Sequence, residues 1–336
     1  MYSSLYVSAD TGPNLRKRGK PEEDQSVDGE GALKEARGMT TVSRAALLPI
    51  LALFAVQLIF GFNYAAAKVV LEHYPPTVWG ALRLLLCALV MFGASGFLVP
   101  REKRVVHRSF LLRTALYGTI GMALTQFFFL MGLRHTTTVN AAIMNTMTPL
   151  FTLLVGVLTG IEKGTPRRWL GFLLAITGAV VIRDLSEFHF GSDTLVGDLF
   201  TILNCISLAA YFTLSAGFLR EHSPFWATAW MFLFGAIVLF LFSGSELPLL
   251  FQSGLDQRFY LAAAYNVVFA TLITYFLNAW TLTKVSPSVV AIFFYFQPVI
   301  AVFNGWLNLG ESPNARTFAA MGLIFGGLGL GVVRKK

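Results

Sequence analysis

The chain has 336 residues, of which 55% are hydrophobic and 13% are charged, and it carries a formal net charge of +8. A soluble globular domain has about 25% charged residues, so this composition excludes an ordinary water-soluble protein. Two cysteines in 336 residues also argue against a disulfide framework or a cysteine-based metal site.

The first 44 residues hold much of the charge and lack the early apolar run of a signal peptide. This segment is predicted to be a disordered cytoplasmic tail. Met39 is an alternative start, because it leads directly into the first apolar run.

From Ala45 onward, apolar runs follow one another with short breaks. A helix that crosses a bilayer needs about 20 mostly apolar residues. The sequence predicts ten such spans, at approximately 46–70, 77–99, 110–133, 138–160, 168–184, 196–219, 225–244, 259–281, 286–309 and 315–333. The predicted fold class is therefore an all-α integral membrane protein.

The basic residues predict the orientation of these spans. If both termini are cytoplasmic, 20 of the 26 Lys and Arg residues lie on the inside and 4 lie outside, while Lys68 and Arg83 lie within spans. This distribution follows the positive-inside rule. The positive charge thus reports membrane topology, and no nucleic-acid partner is expected.

The spans form two halves, residues 46–184 and 196–333, each with five spans. A shift of 149 residues aligns spans three to five with spans eight to ten. The matched pairs are Pro149 with Pro298, Glu162 with Glu311, Phe127 with Phe276, Ala142 with Ala291, Leu133 with Leu282, and Gly178 with Gly327. Because five is odd, the second half enters the membrane inverted, which is the architecture of many secondary transporters.

These features resemble the drug/metabolite transporter superfamily, in the branch with two EamA-type domains, over about residues 46–333. The opening helix is similar in Gly61-Phe62-Asn63 and Lys68, although Phe60 stands where the family often has Trp. The best-matching block is Ala141–Ile182, with Pro149, Leu150, Glu162, Gly171 and Gly178, and the second half repeats it in Ala291, Pro298, Val299, Gly310-Glu311 and Gly327. The resemblance implies ten helices around a central cavity, lined mainly by spans one, three, four, six, eight and nine. It also implies export or exchange of amino acids, related metabolites or xenobiotics.

Polar residues within apolar spans are the candidates for lining this cavity. Some of them only bond neighbouring helices together. The selected candidates are Asn63, Arg83, Gln126, Asn145, Tyr211, Asn278, Tyr295 and Gln297. Arg83 either binds a substrate carboxylate, which a guanidinium fits with paired donors, or ties helix ends together through their carbonyls.

Pro149 and Pro298 lie near the middle of their spans. Proline removes an N–H donor and kinks a helix, so these residues are either hinges or broken-helix sites beside the cavity, or passive kinks that shape packing. Lys68, Glu162 and Glu311 lie near helix ends as gate or cap candidates, and Lys68 alternatively extends to the outer headgroups.

The predicted function is secondary transport of a small metabolite, such as an amino acid or related amphipathic solute, or a drug, across a bacterial inner membrane. Alternating access without cofactor or metal is expected, and the oligomeric state is left open, with a monomer as one option. No Asp or Glu lies at mid-depth in a predicted span, which favours facilitated diffusion or exchange over a proton relay. The alternatives are a membrane enzyme, for which no catalytic motif is present, a scaffold or receptor, and a channel.

Overall fold

The computed structural model describes residues 44–136, 138–182, 192–251, 255–297, 299–300 and 315–332. Internal contacts divide the chain into Met1–Leu47 and Leu48–Lys336. Within the first unit only residues 44–47 are described, as the start of a helix.

All regular structure in the described ranges is helical. The helices are α1 (Arg44–Leu71), α2 (Pro76–Leu98), α3 (Arg108–His135), α4 (Thr138–Asn145), α5 (Thr148–Leu158), α6 (Pro166–Ile182), α7 (Ser192–Glu221), α8 (Pro224–Ser243), α9 (Gln257–Leu282), α10 (Pro287–Ile292) and α11 (Ala315–Val332). Among the described residues six helices, α1 to α3 and α7 to α9, contain segments long and apolar enough to cross a membrane. The protein is therefore a multi-pass, all-helical membrane protein, as predicted.

Local sequence explains where several helices begin. Proline occupies the first turn of α2, α5, α6, α8 and α10, where its missing N–H has no intrahelical acceptor to lose. Asp256 caps α9, because its carboxylate accepts a hydrogen bond from the Phe259 backbone N–H at 2.8 Å.

Two long helices contain one π-helical segment each. The segment in α3 is Thr119–Leu124 and the segment in α9 is Val268–Ile273, so the two are 149 residues apart. In each helix a threonine hydroxyl bonds the carbonyl five residues earlier, Thr125 to Ile120 at 3.1 Å and Thr271 to Asn266 at 2.7 Å. The repeat shift of 149 residues found in the sequence therefore also relates the two π-helical segments, which are uncommon in proteins.

The fourth predicted span is interrupted just before Pro149, one of the two predicted hinge or broken-helix residues. Helix α4 ends at Asn145, a two-residue turn follows, and α5 begins at Thr148. Pro149 thus lies in the first turn of a new helix, where it breaks no hydrogen bond. In the ninth predicted span, α10 ends at Ile292 and a 3₁₀ turn, Phe293–Tyr295, follows it. Pro298 lies outside the described residues.

Helices α6 and α11 approach closely through small residues. A β-carbon placed on Gly178 would lie 2.6 Å from the Ala320 carbonyl oxygen, and one on Gly327 would collide with the Gly171 carbonyl. Under the repeat shift of 149 residues, Gly178 corresponds to Gly327 and Gly171 corresponds to Ala320. The contact between Gly178 and Ala320 therefore corresponds to the contact between Gly327 and Gly171. Reciprocal contacts of this kind are typical of an isologous two-fold interface.

Candidate solute-binding cavity

A cavity enclosing about 540 Å³ of space free of protein atoms, including its solvent-connected part, lies among α1, α2, α3, α4, α7, α9 and the segment that follows α10. Fifteen described residues line it. The family resemblance implied six lining spans, and each of them contributes residues, while α2 adds Arg83.

Six of the eight predicted cavity residues line this space: Asn63, Arg83, Gln126, Asn145, Asn278 and Gln297. All six are at least nine-tenths buried. Four of them, Arg83, Gln126, Asn145 and Gln297, form side-chain hydrogen bonds, as buried polar groups generally do.

The first network crosses the cavity from α1 to α7. Gln297 donates from Nε2 to Gln57 Oε1 at 3.0 Å, and Tyr64 donates from its hydroxyl to Gln297 Oε1 at 3.3 Å. Asn145 donates to the Tyr64 hydroxyl at 2.7 Å and accepts from Asn204 Nδ2 at 3.0 Å. Asn145 is the last residue of α4, so the helix break places its amide within the network.

Arg83 is the single charged residue among the described residues lining the cavity, and its side chain is 1% exposed. Its Nη1 donates to Asn266 Oδ1 at 3.0 Å, and one helical turn away Cys87 Sγ donates to the Val267 carbonyl at 3.5 Å. These bonds attach α2 to α9 immediately before the π-helical segment. The two ion pairs of the described residues, Arg113–Glu221 and Arg168–Glu162, do not involve Arg83.

Gln126 and Tyr275 meet across the cavity, where Gln126 Nε2 donates to the Tyr275 hydroxyl at 3.0 Å. The two positions differ by the repeat shift of 149. Two further lining pairs have the same separation, namely Phe129 with Asn278 and Asn145 with Phe294. Six of the fifteen lining residues therefore occupy corresponding positions of the two halves.

Several buried oxygens in the lining have no hydrogen-bond partner among the described residues. They are Asn63 Oδ1, Gln126 Oε1, Asn204 Oδ1 and Asn278 Oδ1. Arg83 Nε is a buried donor that also has no acceptor among the described residues. An unsatisfied buried polar group costs about 1–3 kcal/mol. A bound solute with complementary groups would remove that cost, so these atoms make the cavity a candidate binding site.

Two predicted cavity residues lie elsewhere, which corrects their assignment. Tyr295 donates from its hydroxyl to the Phe172 carbonyl of α6 at 3.4 Å, while its neighbour Phe294 lines the cavity. Tyr211 packs against Gly121 in the π-helical segment of α3. Successive residues of a helical turn point in different directions, so only part of an aromatic cluster can face one space.

Of the three gate candidates, Lys68 and Glu162 are described, and neither lines the cavity. Lys68 donates to the Thr136 carbonyl at 3.3 Å, at the end of α3. Glu162 accepts from Arg168 Nη1 at 2.8 Å and from the Ser288 backbone N–H at 2.9 Å, joining the segment after α5 to the start of α10. Glu311 lies outside the described residues.

Three further residues of the hydrogen-bond network, Gln57, Tyr64 and Tyr275, were not among the predicted cavity residues. Gln57 and Tyr64 are seven residues apart, which places them on one face of α1 with the lining residue Phe60. Tyr275 aligns with Gln126 under the repeat shift. The sequence contains a signal for each: the seven-residue spacing for Gln57 and Tyr64, and the repeat shift for Tyr275.

A sequence profile of the EamA-like transporter family matches residues 47–183 and 195–332. The two matched segments together cover most of the chain and fall one in each half. The predicted resemblance to EamA-type transporters is thereby confirmed.

Several named relatives are similar over most of their length. The Bacillus subtilis (strain 168) protein named uncharacterized transporter YoaV is 22% identical, over 78% of this chain and 89% of that protein. The Escherichia coli (strain K12) protein named uncharacterized inner membrane transporter YedA is 26% identical, over 83% of this chain and 89% of that protein. A protein of known crystal structure has a similar fold, with a TM-score of 0.68 and 18% identity over 86% of this chain and 97% of its own.

Proposed function

Because the chain belongs to the EamA-like transporter family, we propose that it is a secondary transporter that carries a small amphipathic metabolite through the cavity. Amino acids and related solutes are the first class to test, and small drugs are the second. The observation that carries the proposal is the cavity itself, whose lining combines aromatic rings with unpartnered buried polar atoms. A mostly apolar pocket with a few placed polar groups is typical of small-molecule sites.

We propose alternating access between two inverted halves, residues 46–184 and 196–333, as the mechanism. Repeat-related residues meet at Gln126 and Tyr275, and the contacts of Gly178 and Gly327 exchange under the same shift. Both observations support a two-fold relation between the halves. Two such halves can adopt two similar states, each open to one side of the membrane.

We propose ten crossings, and the positive-inside bias of the sequence supports both termini in the cytoplasm. Hydrogen bonds between helix ends and connecting segments predicted to lie on the same side support the alternation of these crossings. Segments predicted to be cytoplasmic contact each other, as in Trp226 Nε1 to the Val105 carbonyl at 3.0 Å and Ser288 N to Glu162 at 2.9 Å. Segments predicted to be external also contact each other, as in Thr77 to Glu246 at 2.6 Å. We propose a location in the inner membrane, on the ground of the name of the relative YedA.

The test is efflux from cells preloaded with a labelled panel of amino acids, aromatic carboxylates and amines. We expect the protein to accelerate efflux of one chemical class and a protonophore to leave that rate unchanged. Tyr64→Phe removes the hydroxyl that joins Asn145 to Gln297, so it should slow efflux, whereas Tyr260→Phe on an exposed ring is the matched control. Absence of efflux for every panel member, with the protein verified in the membrane, would count against transport and favour an enzyme or a scaffold.

A further inference from the structure

The cavity holds one formal charge and nothing in its described lining to balance it. Arg83 is 1% exposed, and the other lining residues are neutral amides, hydroxyls, aromatic rings and aliphatic side chains. A buried charge without a counter-charge is costly, and within a membrane protein such a residue marks a functional site.

The guanidinium of Arg83 is held at one nitrogen. Asn266 accepts from Nη1 at 3.0 Å, which fixes the orientation of the planar group, whereas the buried Nε–H has no partner in the part of the chain that the structure describes. Asn266 is itself held, because its Nδ2 donates to the Ala262 carbonyl at 3.0 Å. A guanidinium oriented in this way is prepared to bind a carboxylate with charge-assisted hydrogen bonds.

The remaining lining suits the rest of such a solute. Phe60, Phe129 and Phe294 provide apolar ring surface. The unpartnered amide oxygens, such as Asn63 Oδ1 and Asn278 Oδ1, accept hydrogen bonds from a solute hydroxyl or N–H. No carboxylate is among the described lining residues to pair with a solute ammonium.

We propose, resting on the proposed transport function, that the preferred solute is an aromatic or similarly apolar monocarboxylate with a net charge of −1. The physical reason is charge balance. A bound monoanion brings the loaded cavity to zero net charge, whereas a zwitterionic amino acid leaves it at one positive charge. Electrostatic energies are large in a low-dielectric interior, so the neutral complex is the more stable one.

The experiment measures binding to the purified full-length protein in lipid nanodiscs with three probes that share a phenyl ring. They are 3-phenylpropionate, phenylalanine and 3-phenylpropanamide, with net charges of about −1, 0 and 0 at neutral pH from their ordinary ionisation. We expect 3-phenylpropionate to bind at least about tenfold more tightly than either of the others, as charge-assisted bonds imply. Equal or tighter binding of phenylalanine would overturn the proposal, and this comparison needs no variant.

Arg83→Gln supplies the second test, because a glutamine can still donate to Asn266 while it lacks the charge. It should weaken 3-phenylpropionate binding at least about tenfold and leave the amide unchanged, and Arg83→Lys should retain part of the preference. Arg113→Gln, which alters an exposed arginine outside the cavity, is the matched control. An equal loss for all three probes in a normally folded Arg83→Gln protein would show a structural role and overturn the proposal.

Transport in proteoliposomes separates the two proposals. Tight binding of 3-phenylpropionate without its movement would contradict the transport function and leave the charge preference standing. Transport of phenylalanine in preference to 3-phenylpropionate would support transport and contradict the charge preference.

Discussion

Gln126 donates a hydrogen bond to the hydroxyl of Tyr275 at 3.0 Å, and the two residues occupy corresponding positions in the two halves of the chain. In a two-fold arrangement, a residue meets its own counterpart only close to the axis. The contact therefore places the proposed axis at the wall of the cavity. Because one partner is an amide and the other a phenol, the two halves are not chemically equivalent there.

The first prediction concerns this contact. Gln126→Leu and Tyr275→Phe each remove one partner of a buried hydrogen bond, and each should lower the free energy of unfolding by about 1 kcal/mol. The double variant should lose less than the sum of the two, since the bond can be lost only once. Chemical unfolding in detergent measures all three. Tyr275→Phe combined with Arg113→Gln should be additive, and strict additivity in the first pair would contradict the contact.

The second prediction concerns the crossing of α6 and α11. Gly178→Leu or Gly327→Leu forces a side chain into a backbone carbonyl of the opposite helix, so each should destabilise the protein by more than about 3 kcal/mol. Gly326→Leu is the matched control, because a β-carbon there meets nothing within 4 Å. The yield of monodisperse protein and its thermal midpoint are the measurements. Equal behaviour of the Gly326→Leu and Gly327→Leu proteins would refute the close crossing.

The third prediction concerns Glu162. Glu162→Ala removes the ion pair with Arg168 and leaves the Ser288 N–H without its acceptor, at a cost of about 1–3 kcal/mol. Glu162→Gln keeps an acceptor for Ser288 and should cost less. Glu221→Gln is the control, since its ion pair with Arg113 is exposed and should contribute under about 1 kcal/mol. The midpoint of thermal unfolding measures the loss of stability in each variant. A loss for Glu162→Gln as large as that for Glu162→Ala would mean that the ion pair alone provides the stabilisation.

The fourth prediction concerns the break between α4 and α5. Pro149→Ala allows the two helices to join, which would move Asn145 away from the Tyr64 hydroxyl it now contacts at 2.7 Å. The variant should therefore insert and fold normally but transport more slowly. Pro224→Ala, at the start of the uninterrupted helix α8, should leave the transport rate unchanged. An unchanged transport rate for Pro149→Ala would show that this proline shapes packing only and is not needed for transport.

The family membership and much of the lining were accessible from the sequence. Asn63, Arg83 and Asn145 are polar residues in long apolar runs, and such residues are retained mainly where they face an interior. The repeat shift was also visible, in the pairing of Pro149 with Pro298 and of Gly178 with Gly327.

The sequence by itself determined that the chain is a multi-pass helical membrane protein, because bilayer thickness and the cost of unpaired backbone groups leave few other solutions for apolar runs of this length. Tertiary structure alone decided which polar groups meet. Tyr64 joins Asn145 only because α4 ends at that residue, and Tyr295 turns towards α6 while Phe294 faces the cavity. Apolar periodicity does not encode these choices, since they depend on the rotation of each helix about its own axis and on where a helix breaks, and packing against neighbouring helices sets both.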